Sequence, residues 1–461
     1  MKISSFLQVP PLATAQSSYL LGLRGLLTIS TFLCTFLSVF VPATVKSSSY
    51  TTEYPESTPL YQNLLRKIFS PLLWNPSLLY ALAIFISART ICIPFFLLPT
   101  KTVLVSSLFR RAFRLLLPLT LALALVQVLS SLPNIYPQIS DFISKTKNPL
   151  ISVPYVLPNA LAFFNSLFML FFSPSNTPIY LLSGVRTFPS GFISVLSTIY
   201  SQSYTLYTTC IVIPYTRPNW RIKFGLAFIL TAYWVSSWSW FSITALLLTD
   251  SVYHMSFLEK SAAGIPVFKR RFPTWIIYAI ILGTGLGLQY WYEAAPENLQ
   301  VGNAELKAHT DMYGASGGLT SRANEDTTFN SPRIADYLVI VGGFLFLEMG
   351  KSVQQIFNSR ILVVIGLRSF SISLLISTHY ETSLTNTGIF LIHPVVIYML
   401  GIPLYMHLTA EHNINLTPAL ATFVVLLATL AVLIPVQEIF YRIVEVQSGK
   451  FARGLWSWMG R

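Results

Sequence analysis

Long apolar runs alternate with short basic segments along this chain. A helix that crosses a hydrocarbon core needs about 20 mostly apolar residues. Reading for such runs gives candidates at 19–42, 74–98, 112–132, 190–215, 224–250, 273–292, 337–350, 361–378, 387–407 and 416–441. The 337–350 run is short. A further apolar stretch, 155–173, is broken by Pro154, Pro158 and Pro174 and reads as an interfacial or re-entrant helix. The pattern predicts an all-α fold, a polytopic transmembrane helical bundle of about ten spans. No internal repeat is visible, which weakens a transporter built from duplicated halves.

Composition narrows the picture further. Of 461 residues 53% are hydrophobic and only 10% charged, whereas soluble domains carry about 25% charged residues. So few charges cannot cover a water-exposed globule of this size, which excludes a cytosolic enzyme, a nucleic-acid-binding protein and a disordered chain. The net charge of +13 sits beside the apolar runs, so it reads as anchoring charge at a bilayer and not as a nucleic-acid footprint. Cys34, Cys92 and Cys210 each lie inside an apolar run, and neither a disulfide framework nor a metal site follows from their spacing.

Lysine and arginine in short loops set the orientation. Lys101, Arg110, Arg111 and Arg114 mark one cytosolic segment, Arg217, Arg221 and Lys223 a second, and Lys260, Lys269, Arg270 and Arg271 a third. The 293–336 loop is acidic and reads as non-cytosolic. The 224–250 run lies between two basic segments, so it is expected to be a tight hairpin of two short helices turning near Ser236, Ser237 and Trp238. The polar stretch 378–389 interrupts the run from 361 to 407. Counted as an insertion within one span, it leaves both termini cytosolic, and that count is preferred. Counted as a break between two spans, it puts the basic C-terminus outside. The chain then divides into a lead-in (1–18), a membrane domain (19–441) and a cytosolic tail (442–461) carrying Trp456 and Trp458 as an aromatic anchor.

Ionisable groups inside a span are costly and call for a functional reading beside the structural one. They are Arg24, Arg89, the trio Arg110, Arg111 and Arg114, Glu348, Arg368 and His393. Arg111 and Arg114 are three apart and share a helix face. Such a pair suits the phosphates of a nucleotide-bearing donor; the alternative is snorkelling to lipid headgroups. Arg24 is flanked by Gly22 and Gly25, which let a ligand or another backbone approach. His393 is either a hydrogen-bonded structural histidine or a proton acceptor. The chain has no Asp or Glu between Asp141 and Asp250, and no His before His254. Any general base for the N-terminal half must therefore come from the C-terminal half.

GLRG opening the first span (22–25) and FRRAFRLLLP opening the third (109–118) resemble, in that order, the integral-membrane acyltransferase-3 family. Further pieces fit its divergent fungal-type members: YALAIFISARTICIPF (80–95), the long stretch 188–221, SWSWFSITALLLTDSV (237–252), IGLRSFSIS (365–373) and EIFYRIVEV (438–446). The resemblance implies about ten spans; which membrane they cross stays open between the endoplasmic reticulum and the plasma membrane. It also implies transfer of an acyl group, often acetyl from acetyl-CoA, onto a hydroxyl of a lipid, sugar or secondary metabolite, without a metal. It puts Arg110, Arg111 and Arg114 on the acyl-CoA and Arg24 at the reaction centre. The family's base, a histidine eleven residues after that arginine, is replaced here by Thr35. The fourth-span Glu is also missing, with Ile199 or Gln202 in its place. Losing a positioned base typically costs about 10²–10⁴-fold in rate. The resemblance thus leaves Arg24, Thr35 and His393 as the catalytic set, with His393 the remaining base. The alternative is a catalytically impaired pseudoenzyme, or a membrane binding scaffold of the same fold.

Overall fold

A computed structural model describes residues 18–45, 59–97, 101–172 except 134, 149 and 152, 188–294 except 190, 268 and 269, 332–369, 388–410 and 416–459. The lead-in, most of the 293–336 loop and nearly all of the 378–389 stretch lie outside the described residues. So does the side chain of Arg368.

The fold is all-α apart from one small hairpin. The first half runs α1 (Ser18–Phe40), α2 (Leu60–Leu73), α3 (Pro76–Leu97), α4 (Lys101–Ser130), α5 (Ile135–Thr146), α6 (Ala160–Phe172) and α7 (Ser194–Val212). The middle runs α8 (Pro218–Trp234), α9 (Ser239–His254) and α10 (Phe257–Ala263). An antiparallel ribbon of β1 (Ile265–Val267) and β2 (Arg270–Phe272) follows, then α11 (Thr274–Ala294). The last part runs α12 (Ile334–Met349), α13 (Lys351–Phe357), α14 (Arg360–Ser369), α15 (Gly388–Val396), α16 (Ile402–Thr409), α17 (Pro418–Phe440) and α18 (Val446–Met459). Single π-helical turns join α15 to α16 and α17 to α18.

Five stretches are long and apolar enough to cross a membrane: Ser18–Phe40, Leu60–Leu97, Leu104–Ser130, Leu391–Thr409 and Pro418–Met459. The expectation of about ten such spans is not met among the described residues. Other apolar runs fold as helices too, but α8 has 17 residues, and α9 and α12 have 16 each. At 1.5 Å per residue a 16-residue helix covers only about 24 Å. The 224–250 run is indeed two helices. The break falls between Trp234 and Ser239, where Ser236 has a positive φ of 51° and the Ser237 amide reaches back to the Ala232 carbonyl at 2.9 Å.

Helix α17 explains why lipid is the solvent. Ala421, Val425, Thr429 and Leu433 recur every fourth residue and are buried, while Leu420, Phe423, Leu427 and Ile434 point outward. A helix that is apolar on its outer face as well as its inner one needs an apolar surrounding.

One end of the bundle is tied by polar side chains. Asp336, at the start of α12, accepts from Ser77 Oγ of α3 at 2.5 Å and from the Gln289 amide of α11. Asn75 donates to Gln289 Oε1 at 2.9 Å, and Arg66 pairs with Glu293 at 2.7 Å. The C-terminal end of α3, near Phe96, lies instead against His254, with ring centroids 5.3 Å apart.

Helix α1 meets α13 and α14 backbone to backbone. A Cβ on Gly22 would fall 1.7 Å from the Phe357 carbonyl oxygen, and one on Gly366 would fall 1.7 Å from the Leu21 carbonyl oxygen. The partner admitted by Gly22 and Gly25 is therefore another helix, with Gly25 facing the Leu362 carbonyl. Gly366→Leu forces these helices apart, and overpacking of this kind costs about 1–3 kcal/mol or more. We expect a clear drop in thermal midpoint in detergent for Gly366→Leu and none for Gly283→Ala, where a Cβ meets nothing within 4 Å.

Candidate functional site

Arginines gather where α1, α3, α4 and α7 meet. Arg110, Arg111 and Arg114 occupy one part of α4, and their relative exposures are 8%, 8% and 5%. Snorkelling would put these groups on the outer rim. They are directed into the fold instead, and the reason is visible in their partners. Arg111 Nε donates to Ser203 Oγ of α7 at 2.8 Å, and its Nη2 donates to Ser87 Oγ of α3 at 3.1 Å. Arg110 folds back on its own helix, donating from Nε to the Ser106 carbonyl at 3.0 Å and from Nη2 to Ser106 Oγ at 2.9 Å. Arg114 keeps a buried Nε with no hydrogen-bond partner. Arg24, also buried, stands near enough to Arg111 for their charges to repel.

No carboxylate hydrogen-bonds to Arg110, Arg111 or Arg114 among the described residues. Neutral serines solvate these cations but leave their charge uncompensated, and buried charge without a counter-ion is expensive. An anion entering between them recovers part of that cost. Phosphate and carboxylate oxygens match the guanidinium fork best.

Arg89 is different. Its Nη2 donates to Glu348, and to Tyr19 Oη at 3.2 Å, while Tyr19 Oη donates to the same Glu348 oxygen. The Phe344 ring sits 5.6 Å from the guanidinium. This triad from α1, α3 and α12 is internally neutral and nearly dry, so it reads as a structural pin next to the cationic cluster.

Thr35 and His393 come together although 358 positions separate them: Thr35 Oγ1 lies 3.2 Å from His393 Nε2. The Thr35 hydroxyl donates its one proton to the Thr31 carbonyl at 3.0 Å. His393 is fully buried, and Phe32 presses on it edge to face at 6.2 Å. The π-helical turn Ile397–Gly401 begins one turn later, a distortion often found at functional sites.

Arg24, Thr28, Thr31 and Thr35 follow positions i, i+4, i+7 and i+11, and all are buried. They form one polar stripe on α1. Each threonine hydroxyl bonds a carbonyl of its own helix: Thr28 to Arg24 at 2.9 Å, Thr31 to Thr28 at 2.9 Å and Thr35 to Thr31. Eleven residues of helix put Arg24 and Thr35 about 16 Å apart along the axis. The cationic cluster and the histidine are therefore two stations on one line, not one site.

Sequence reasoning missed Ser87, Ser203 and Tyr19. The first two carry no signal in isolation, since each is one small hydroxyl in an apolar run. The helical spacing of Arg24 with Thr28, Thr31 and Thr35 is a signal, and it leads to His393. Of the residues weighed for the missing Glu, Ile199 is a core side chain and Gln202 accepts from Ser239 Oγ at 3.0 Å. The neighbour of both, Ser203, is the one that holds Arg111.

A second charged group forms at the C-terminal end of α9. Asp250, fully buried, takes Arg221 at 3.2 Å and His254 Nδ1 at 3.0 Å. Cys92 and Cys210, far apart in sequence, meet side by side as free thiols. No set of three metal-ligating side chains occurs among the described residues. The chain matches no family model, no characterised protein and no solved structure.

The Arg89–Glu348 pair makes its own prediction. Removing one partner of a buried pair leaves an uncompensated charge and costs about 3–5 kcal/mol. We expect Glu348→Ala to lower the thermal midpoint more than the Arg89→Met, Glu348→Leu double variant does. Additive losses in the double variant would show that the pair is not coupled.

Proposed function

We propose that this protein is a membrane-embedded acyltransferase of the acyltransferase-3 type. It moves an acyl group, acetyl first among the choices, from acyl-CoA to a hydroxyl of a lipid, sugar or secondary metabolite. The observation that carries the reading is the 3.2 Å contact between His393 Nε2 and Thr35 Oγ1. The resemblance requires a histidine at position 35, and a histidine from a distant helix reaches that very side chain.

In this reading the donor's phosphates rest on Arg110, Arg111 and Arg114. Its long flexible arm follows the polar stripe from Arg24 past Thr28 and Thr31, carrying the thioester toward Thr35 and His393. His393 takes the proton of the acceptor hydroxyl. The acceptor oxygen forms a bond to the thioester carbonyl carbon, the carbon–sulfur bond breaks, and the CoA sulfur leaves as thiolate and receives a proton. Thr35 orients the imidazole through its 3.2 Å contact with Nε2. The chain crosses the bilayer about ten times, with the shorter helices α8, α9 and α12 among the crossings. Both termini face the cytosol, in the endoplasmic reticulum or the plasma membrane.

The full enclosure of His393 favours a second reading, in which the same fold binds an acyl donor or lipid without turnover. Acyl transfer by the purified protein, with labelled acetyl-CoA and a panel of acceptors, separates the two. The enzyme reading expects turnover that falls by about 10²–10⁴-fold in His393→Ala, with donor affinity retained. Donor binding without transfer to any acceptor supports the second reading. Transfer that survives His393→Ala intact removes His393 as the base.

A further inference from the structure

The last helix is more than a tail with an aromatic anchor. α18 lies along the first half of α4. Trp456 meets Phe109 with ring centroids 5.7 Å apart, and Phe451 meets Phe113 at 5.8 Å. These two aromatic contacts bracket Arg453 and fix the face on which it stands. Its Nε donates to the Gly449 carbonyl of its own helix at 3.3 Å. Its charge acts on both Arg110 and Arg114. Arg453 is half-buried, whereas those two are nearly dry.

We infer that Arg110, Arg114 and Arg453 form one docking site for a multiply phosphorylated anion, with α18 as the wall that brings the third guanidinium. An arginine on a surface helix has a long stem and ordinarily swings its charge away from other cations into water. Here packing of Phe451 and Trp456 holds Arg453 where it repels two arginines already buried. That arrangement is unfavourable on its own and favourable around an anion with several oxygens. Three guanidinium forks offer more donors than one phosphate group uses, which points to two or more phosphates on one ligand. The bound groups are phosphate esters, from a soluble nucleotide or from a lipid headgroup. The identification of that nucleotide as acyl-CoA rests on the donor reading above; the anion site rests on the three arginines.

The test uses the full chain in neutral detergent, titrated calorimetrically with 3′,5′-ADP, with inorganic pyrophosphate and with acetyl-CoA. A parallel set uses neutral-lipid nanodiscs doped with a phosphorylated phosphatidylinositol. We expect Arg453→Gln to weaken binding of the soluble phosphates by tenfold or more with no fall in the ligand-free thermal midpoint, and Arg453→Lys to restore part of the binding. The paired Phe451→Ala, Trp456→Ala variant, which frees α18, weakens binding to the same degree. If the native protein binds acetyl-CoA and Arg453→Gln binds it equally well, the inference falls and the donor reading stands. If pyrophosphate or the inositol lipid binds in an Arg453-dependent way and acetyl-CoA does not bind, the inference stands and the donor reading falls. If none of the probes binds, both fall.

Discussion

Uncompensated positive charge in an apolar bundle is the constraint on which this structure turns. Burying a guanidinium demands hydrogen bonds and an opposing charge. Arg89 has both, from Glu348 and Tyr19. Among the described residues Arg111 has only the hydroxyls of Ser87 and Ser203, and Arg114 Nε, like Arg89 Nε and Nη1, has no hydrogen-bond partner. Arg110, Arg111 and Arg114 stand inside the fold with no carboxylate hydrogen-bonded to them among the described residues. A stability argument alone favours apolar side chains at those positions. The arrangement makes sense when the counter-ion is a ligand.

The helices arrange this charge by division of labour. α4 carries the arginine trio, α3 and α7 supply the serines, and α1 adds Arg24 together with the line of threonines that leads to His393. Close packing of α1 on α13 through Gly22, and on α14 through Gly25 and Gly366, holds that line in place. The Arg89–Glu348–Tyr19 pin joins α1, α3 and α12 beside it.

Much of the bundle was legible in the sequence, for a simple reason. Apolar runs of helical length have few alternatives in lipid, and the break at Ser236 is dictated by basic segments on both sides of 224–250. The number of crossings was less legible. The run at 337–350 already reads as short, and its helix α12 runs only 16 residues, from after Arg333 to Gly350. At the site, spacing on one helix identified Arg111 and Arg114 as neighbours. It could not reveal that Ser203 holds Arg111, or that Trp456 carries Arg453 to the cluster, because those are contacts between distant segments. The meeting of Thr35 with His393 was approached only through a resemblance, although the threonine stripe on α1 runs toward it.

The most direct test is a cryo-EM reconstruction of the full chain in lipid nanodiscs with CoA at saturating concentration. The account predicts density for the nucleotide phosphates against Arg110, Arg111 and Arg114, with the pantetheine arm extending along Arg24 and Thr28 toward His393. A map that shows the cluster empty at saturation, or CoA bound at another face, contradicts it.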